Sequence, residues 1–299
     1  MIVRAGDRVL VQGMTGRQGT FWTERMQECG TRIVAGVSPA KGGTEHCGVP
    51  VYATAAEAAR ETGFDYAVLF VPPAGALAAV TGACEAGAKV VVVLTEHIPA
   101  SDVMRLHDVA KRCGTRIVGP NTAGLVTPGE AFVGIMPGFN GNVFQPGSIG
   151  VLSRSGSLGT LVCLNLVRSG HGQSAFIGIG GDPMLGTTTR DALEALDRDP
   201  GTTAAVLIGE IGGAMEEEAA EYAQGMKKPV VSFIAGAAAP PGKRMGHAGA
   251  IVLGDRGSYG SKRRALEAAG VEVVDTPIEL GMALRRAGVH PPPPSQRAQ

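Results

Sequence analysis

Short unbroken runs of aliphatic and β-branched residues alternate along the chain with Ala-rich stretches whose apolar positions recur at helical spacing. The runs Arg8–Gln12, Arg32–Val37, 66–71, 89–94 and Arg116–Val118 are bounded by Gly or Pro, and stretches such as 54–62 and 74–86 fall between them. A second series follows at 148–152, 175–179, 204–208, 230–233 and 271–274. Strands apolar on both faces and separated by helices predict a parallel sheet covered on both sides. Two such series predict two successive doubly wound α/β domains.

Gly, Pro and Asn cluster across 128–146, most densely in Pro137-Gly-Phe-Asn-Gly-Asn-Val-Phe-Gln-Pro-Gly147. This places one domain over residues 1–127 and the other over 147–288. Both halves open alike, as strand, glycine turn, helix: Val9-Leu-Val-Gln-Gly-Met-Thr-Gly-Arg-Gln-Gly-Thr20 and Val151-Leu-Ser-Arg-Ser-Gly-Ser-Leu-Gly-Thr160. The Pro-rich, polar end over 289–299 predicts a disordered tail.

Length and composition narrow the classes of function. The 299 residues fit two ordinary domains, and a 44% apolar share supplies their cores. Acids and bases balance at 27 each and aromatic residues make up 4%, so neither a basic field nor a base-stacking platform supports nucleic-acid binding. The five cysteines are scattered without a Cys-x-x-Cys pair, which signals neither a disulfide framework nor a metal site. They read as reduced, mostly buried thiols of a cytoplasmic protein. The first residues lack the apolar region of a signal peptide. The greasiest window, 90–94, is too short to cross a membrane and reads as a buried strand.

The first glycine turn, Gly13-Met-Thr-Gly-Arg-Gln-Gly19, lies between a strand and a helix, where free N–H groups and the helix dipole favour an anion. A nicotinamide dinucleotide would call for an acid at the end of the second strand. The sequence there is Val37-Ser-Pro-Ala-Lys41, and Lys41 suits a ligand with additional phosphate. Together, Gly13-Met-Thr-Gly-Arg-Gln-Gly-Thr-Phe21, Lys41-Gly-Gly-Thr44, Leu94-Thr-Glu-His-Ile-Pro99 and Gly119-Pro-Asn-Thr-Ala-Gly124 resemble the succinyl-CoA synthetase α-subunit family, of the NDP-forming acyl-CoA synthetase type. The likeness runs over residues 1 to 287 or so. It implies a Rossmann-like CoA-binding domain and a flavodoxin-like ligase domain. It also implies that Thr15, Gly16, Arg17, Gln18, Lys41, Leu94, Thr95 and Glu96 line the CoA site.

Of six histidines, only His247 sits in a constellation. Its loop, Lys243-Arg-Met-Gly-His-Ala-Gly-Ala-Ile251, frames the imidazole with glycines and resembles the phosphohistidine loop of the same family. Neutral imidazole can pass a phosphoryl group through one ring nitrogen while the proton on the other is held. By resemblance, Glu210 in Ile208-Gly-Glu-Ile-Gly-Gly213 is the holder. Ser153, Ser155, Gly156, Ser157 and Thr160, around the opening of the second domain's first helix, offer donors to the phosphate and the acid. The loop Gly178-Ile-Gly-Gly-Asp-Pro183 adds another glycine turn at a strand end.

Two departures from the family stand close to the acid. Where it carries Ser-Arg-Ser-Gly-Thr-Leu-Thr-Tyr-Glu, this chain has Ser153-Arg-Ser-Gly-Ser-Leu-Gly-Thr-Leu161, and the family's Cys-Pro is Thr122-Ala123. A di- or tricarboxylate related to succinate, such as malate or citrate, is therefore admitted. No Walker-type loop is present. The resemblance supplies the nucleotide site on an ATP-grasp β subunit holding Mg-ATP or Mg-GTP, in an αβ or α2β2 complex, without which this chain is catalytically incomplete. A CoA-binding regulatory module and a nicotinamide oxidoreductase are the competing readings.

Overall fold

The computed structural model describes residues 1–240, 242, 244–252 and 256–293. Residues 294–299 of the expected tail, and Lys243 of the histidine loop, lie outside the described residues. The chain forms two compact units: Val3 to Phe139 with Met184 to Thr187, and Asn140 to Pro183 with the residues from Thr188 onward.

In the first unit, β1 (Arg8–Gln12), α1 (Arg17–Glu28), β2 (Arg32–Val37), β3 (Thr44–His46), β4 (Val49–Tyr52) and α2 (Ala55–Glu61) lead to β5 (Tyr66–Leu69). Then come α3 (Pro73–Glu85), β6 (Val90–Val93), α4 (Ala100–Cys113) and β7 (Arg116–Val118). The sheet order is β3–β4–β2–β1–β5–β6–β7, parallel except for the antiparallel edge strand β3. The six parallel strands have the Rossmann order, reversing direction at β1. β6 is four valines, all buried, as a central strand covered by helices on both faces requires. The expected strands are present, β5 shorter by two residues at its carboxyl end and β6 by one at each end. Two hairpins were not expected: β3 with β4, and β8 (Gly124–Thr127) with β9 (Ala131–Gly134), an antiparallel pair that runs into the Gly- and Pro-rich stretch.

At the foot of this sheet Asp65 accepts from Arg8 Nε at 3.0 Å and pairs with Lys89 Nζ at 2.9 Å. The Arg8 guanidinium holds the Asp65 carboxyl well below the usual carboxylate range, against the opposing pull of burial.

The second unit contains β10 (Pro146–Ser153), α5 (Gly156–Arg168), β11 (Gln173–Gly178), α6 (Thr189–Arg198), β12 (Ala204–Glu210) and α7 (Met215–Ala223). It ends with β13 (Val230–Ala235), α8 (Tyr259–Ala268), β14 (Glu272–Val274) and α9 (Leu280–Arg286). Parallel strands run β14–β13–β12–β10–β11, the flavodoxin-like order. β12 carries two residues more than the expected run 204–208, so Glu210 closes the strand itself. The thiols also differ from expectation. Cys84 and Cys163 are buried, but Cys29 and Cys47 are half-buried and Cys113 is exposed, because it closes a surface helix. Among the described residues no helix is long and apolar enough to cross a membrane.

Candidate active site

In the first unit the chain turns from β1 into α1 through Gly13 to Gly16. Gly16 caps α1 without a side chain, so the amides of the first turn keep their capacity for an outside acceptor. Arg17 and Gln18 are exposed beside it, with Trp22 Nε1 donating to Gln18 Oε1 at 3.2 Å. Thr15 Oγ1 donates to Ser38 Oγ at 3.0 Å, joining this turn to the loop after β2. Lys41 is exposed on that loop. Leu94 is half-buried and Glu96 exposed after β6, while Thr95 is buried and donates to the Val71 carbonyl at 2.9 Å. His46, given no role on sequence grounds, places Nε2 2.8 Å from Thr20 Oγ1 and ties β3 to the start of α1.

A cavity of about 460 Å³ opens beside the turn, lined by Gly13, Val37, Ser38, Val71, Pro72 and Ala79 among others. It lies past the carboxyl ends of β1, β2 and β5, where the sheet order reverses. An apolar cleft beside an uncapped helix terminus, with Lys41 on a neighbouring loop, suits a ligand with an apolar body and phosphates, as CoA is.

The second unit builds the histidine site. His247 Nδ1 lies 2.8 Å from Glu210 Oε2, with the His247 side chain 28% exposed and that of Glu210 10%. A carboxylate only accepts, so the proton of this bond belongs to Nδ1 and the imidazole lone pair to Nε2. The ring rests on Gly181, where a Cβ would stand 2.5 Å from His247 Cγ. Beneath Glu210 lies Arg154, whose Nη2 is 3.4 Å from Glu210 Oε1, an oxygen that is buried without a hydrogen bond. Arg154 Nη1 donates to the Gly212 carbonyl at 3.1 Å.

The serine turn ahead of α5 is largely self-satisfied. Ser153 Oγ is buried, donates to Ser155 O at 2.7 Å and accepts from Ser155 N at 3.1 Å. Ser155 Oγ accepts from Leu158 N at 3.4 Å and lies 3.3 Å from Ser157 Oγ. Gly156 opens α5, and its carbonyl accepts from Thr160 Oγ1 at 2.9 Å. Ser157 and Leu161 are exposed on the helix; Thr160 is half-buried.

Sequence reasoning missed the buried Glu216 and Lys262, and it valued Arg154 only for the backbone around it. Glu216, Ala219, Ala220 and Ala223 are buried on α7 at spacings of three and four, as are Lys262 and Leu266 on α8. A charged residue standing in an apolar helical stripe was the available signal.

Residues 6–97 match the CoA binding domain family and residues 152–272 the CoA-ligase family. These two matches define the class, a CoA-binding domain followed by a CoA-ligase domain. The chain is 50% identical over 280 residues to succinate–CoA ligase [ADP-forming] subunit alpha 2 of Archaeoglobus fulgidus, covering 94% of this chain and 96% of that one. It is 52% identical over 273 residues to the corresponding subunit alpha of Methanothermobacter thermautotrophicus, covering 91% and 92%. The chain belongs to the succinate–CoA ligase α-subunit family. Its fold is similar to that of ATP citrate lyase from Methanothrix soehngenii, solved in complex with citrate and coenzyme A. That match has a TM-score of 0.86 and 23% identity over 96% of this chain, which spans 50% of the solved one.

Proposed function

We propose that this chain is the α subunit of a nucleotide-dependent carboxylate–CoA ligase, with His247 relaying a phosphoryl group from nucleotide to acid. The observation that supports this reading is the 2.8 Å bond between His247 Nδ1 and Glu210, which fixes the tautomer with its lone pair on Nε2. Nε2 attacks the terminal phosphorus of a nucleotide held by a partner subunit. The bond to the bridging oxygen breaks and the diphosphate leaves. As the ring gains positive character, Glu210 stabilises it through Nδ1–H, with Arg154 Nη2 3.4 Å from the other carboxylate oxygen. A carboxylate oxygen of the acid then attacks the phosphorus, the P–N bond breaks, and neutral imidazole is restored with an acyl phosphate as product. CoA supplies the thiol that takes the acyl group, the acyl C–O bond breaking and inorganic phosphate leaving. Toward it this chain offers the amides opening α1, the apolar cleft and Lys41.

The partner is an ATP-grasp β subunit in an αβ or α2β2 complex. The ADP-forming names of the curated relatives favour Mg-ATP over Mg-GTP. The acid is a di- or tricarboxylate. Half-buried Thr160 and exposed Leu161 stand where the family has Tyr-Glu, leaving room for a larger acid than succinate.

With the co-purified partner and γ-labelled nucleotide, His247 should acquire an acid-labile, base-stable phosphate, and His247→Ala should abolish it while the fold survives. Label persisting in that variant, or absent from the wild type, overturns the reading.

A further inference from the structure

Directly below the histidine site, four charged side chains are packed out of water, two of each sign. Arg154, Glu210, Glu216 and Lys262 lie on the β10–α5 turn, β12, α7 and α8 respectively. Glu216 and Lys262 are fully buried and bonded to each other through Oε2 and Nζ. Lys262 Nζ also donates to the Gly212 carbonyl at 2.9 Å, the same oxygen that Arg154 Nη1 reaches at 3.1 Å. The other oxygen of Glu216 accepts from the Glu210 backbone amide at 3.2 Å and lies 3.8 Å from Arg154 Nη1.

We infer that Lys262, paired with Glu216, is a positioning residue for the His247–Glu210 couple. This rests on the phosphoryl-relay reading above. Two routes of contact lead from Lys262 to Glu210: one through Glu216 to the Glu210 amide, one through the Gly212 carbonyl and Arg154 to Glu210 Oε1. Gly212 is where the turn after Glu210 meets the histidine loop. Its φ is +95°, and a Cβ there would stand 2.0 Å from the Gly249 carbonyl, two residues beyond His247. Two cations anchored on Gly212 O therefore set the spacing between the strand that carries the holder and the loop that carries the nucleophile. A buried ion pair is weak evidence for stability, since apolar residues of similar size often serve as well. Convergence on one carbonyl at this junction is not explained by packing.

Facing Glu210 are Arg154 and His247, with Glu216 and Lys262 behind. Glu217 Oε2 lies 3.9 Å from Lys262 Nζ, and Asp182 is buried in the loop under the imidazole. Replacing Lys262 by Met leaves one uncompensated negative charge in this set. Removing a cation disfavours negative charge throughout such a set, so the transfer should fail at a higher pH as the medium is acidified.

The test is the rate and extent of His247 labelling by γ-labelled nucleotide in the full chain with its partner, followed across pH. Lys262→Met should label to the wild-type extent but at least about tenfold more slowly, with the acid limb moved to higher pH. The equal extent separates slow transfer from a misfolded fraction. Lys262→Met with Glu216→Gln restores neutrality and keeps the fold if the single variant does not. It should return the acid limb to its wild-type position while remaining slow, because Gly212 O still lacks one donor. A double variant labelled at the wild-type rate, or a folded single variant with unchanged rate and pH profile, overturns the inference. Wild type that never labels on His247 overturns instead the relay on which the inference rests.

Discussion

Gly181→Ala tests the site with a single methyl group. The position has no left-handed backbone, so the peptide itself accepts alanine; the obstacle is the imidazole. The added carbon would stand 2.5 Å from His247 Cγ, 2.7 Å from Cδ2 and 2.8 Å from Nδ1. Carbon contacts settle at about 3.5–4.0 Å, so the ring has to withdraw by roughly 1 Å. The 2.8 Å bond from Nδ1 to Glu210 is broken or bent by such a move. Misplacement of a reacting group by that distance lowers a rate by about 10²-fold. Stability should change by no more than about 1 kcal/mol, because the partly exposed ring has solvent to move into. Quench-flow labelling of His247 together with a thermal melt reads both quantities. A variant that labels within about threefold of wild type would refute the claim that ring placement on Gly181 controls the transfer.

Lys41→Ala should weaken CoA binding by roughly 1 kcal/mol, less at high salt because the side chain is exposed, while His247 labelling is unaffected; calorimetry with an unchanged affinity returns Lys41 to a solvated role. Asp65 ionises below its unfolded value of 3.8, so its contribution to stability is fully present above that value and fades as pH falls below it. Asp65→Asn should therefore cost about 1 kcal/mol in urea unfolding at neutral pH, discounted for the exposure of Arg8 and Lys89, and the gap to wild type should narrow in acid; a gap independent of pH contradicts this. Thr160→Tyr with Leu161→Glu should shift kcat/KM toward succinate relative to larger di- and tricarboxylates, and a wild type that already prefers succinate with its native partner refutes the prediction.

Much of the fold was legible because burial on both faces leaves a plain mark in sequence. Val90 to Val93 has no polar residue to accommodate, and a central parallel strand covered on both faces uses such a run. The unexpected hairpins lacked that mark. β3 is Thr-Glu-His with two exposed residues, and β4 interrupts its short run with Pro50. The Glu210–His247 pairing was legible only through resemblance, since 37 residues separate the two and no local rule joins them. Glu216 and Lys262 were passed over because charges on helices are usually solvated. Their places in the apolar stripes of α7 and α8 gave half of the information. Their pairing is a tertiary fact.

The two glycine turns, alike in sequence, end in unlike helix termini, and the difference matches the jobs proposed for them. Both follow a strand flanked on either side by later strands, the place where a doubly wound sheet leaves room for a ligand. At α1 the cap is Gly16 and no side chain competes for the first amides, so the full anion-binding capacity is left to the phosphates of a ligand that must be held while its other end reacts. At α5, Ser155 occupies one amide and Ser153 closes the turn from beneath. A phosphoryl group in transit is better served by this weaker terminus, because tight binding of the phosphohistidine would deepen a ground state that the next transfer has to climb out of. On that argument the histidine of the proposed relay is better carried, as His247 is, on a loop separate from α5 and held by Glu210 and Gly181.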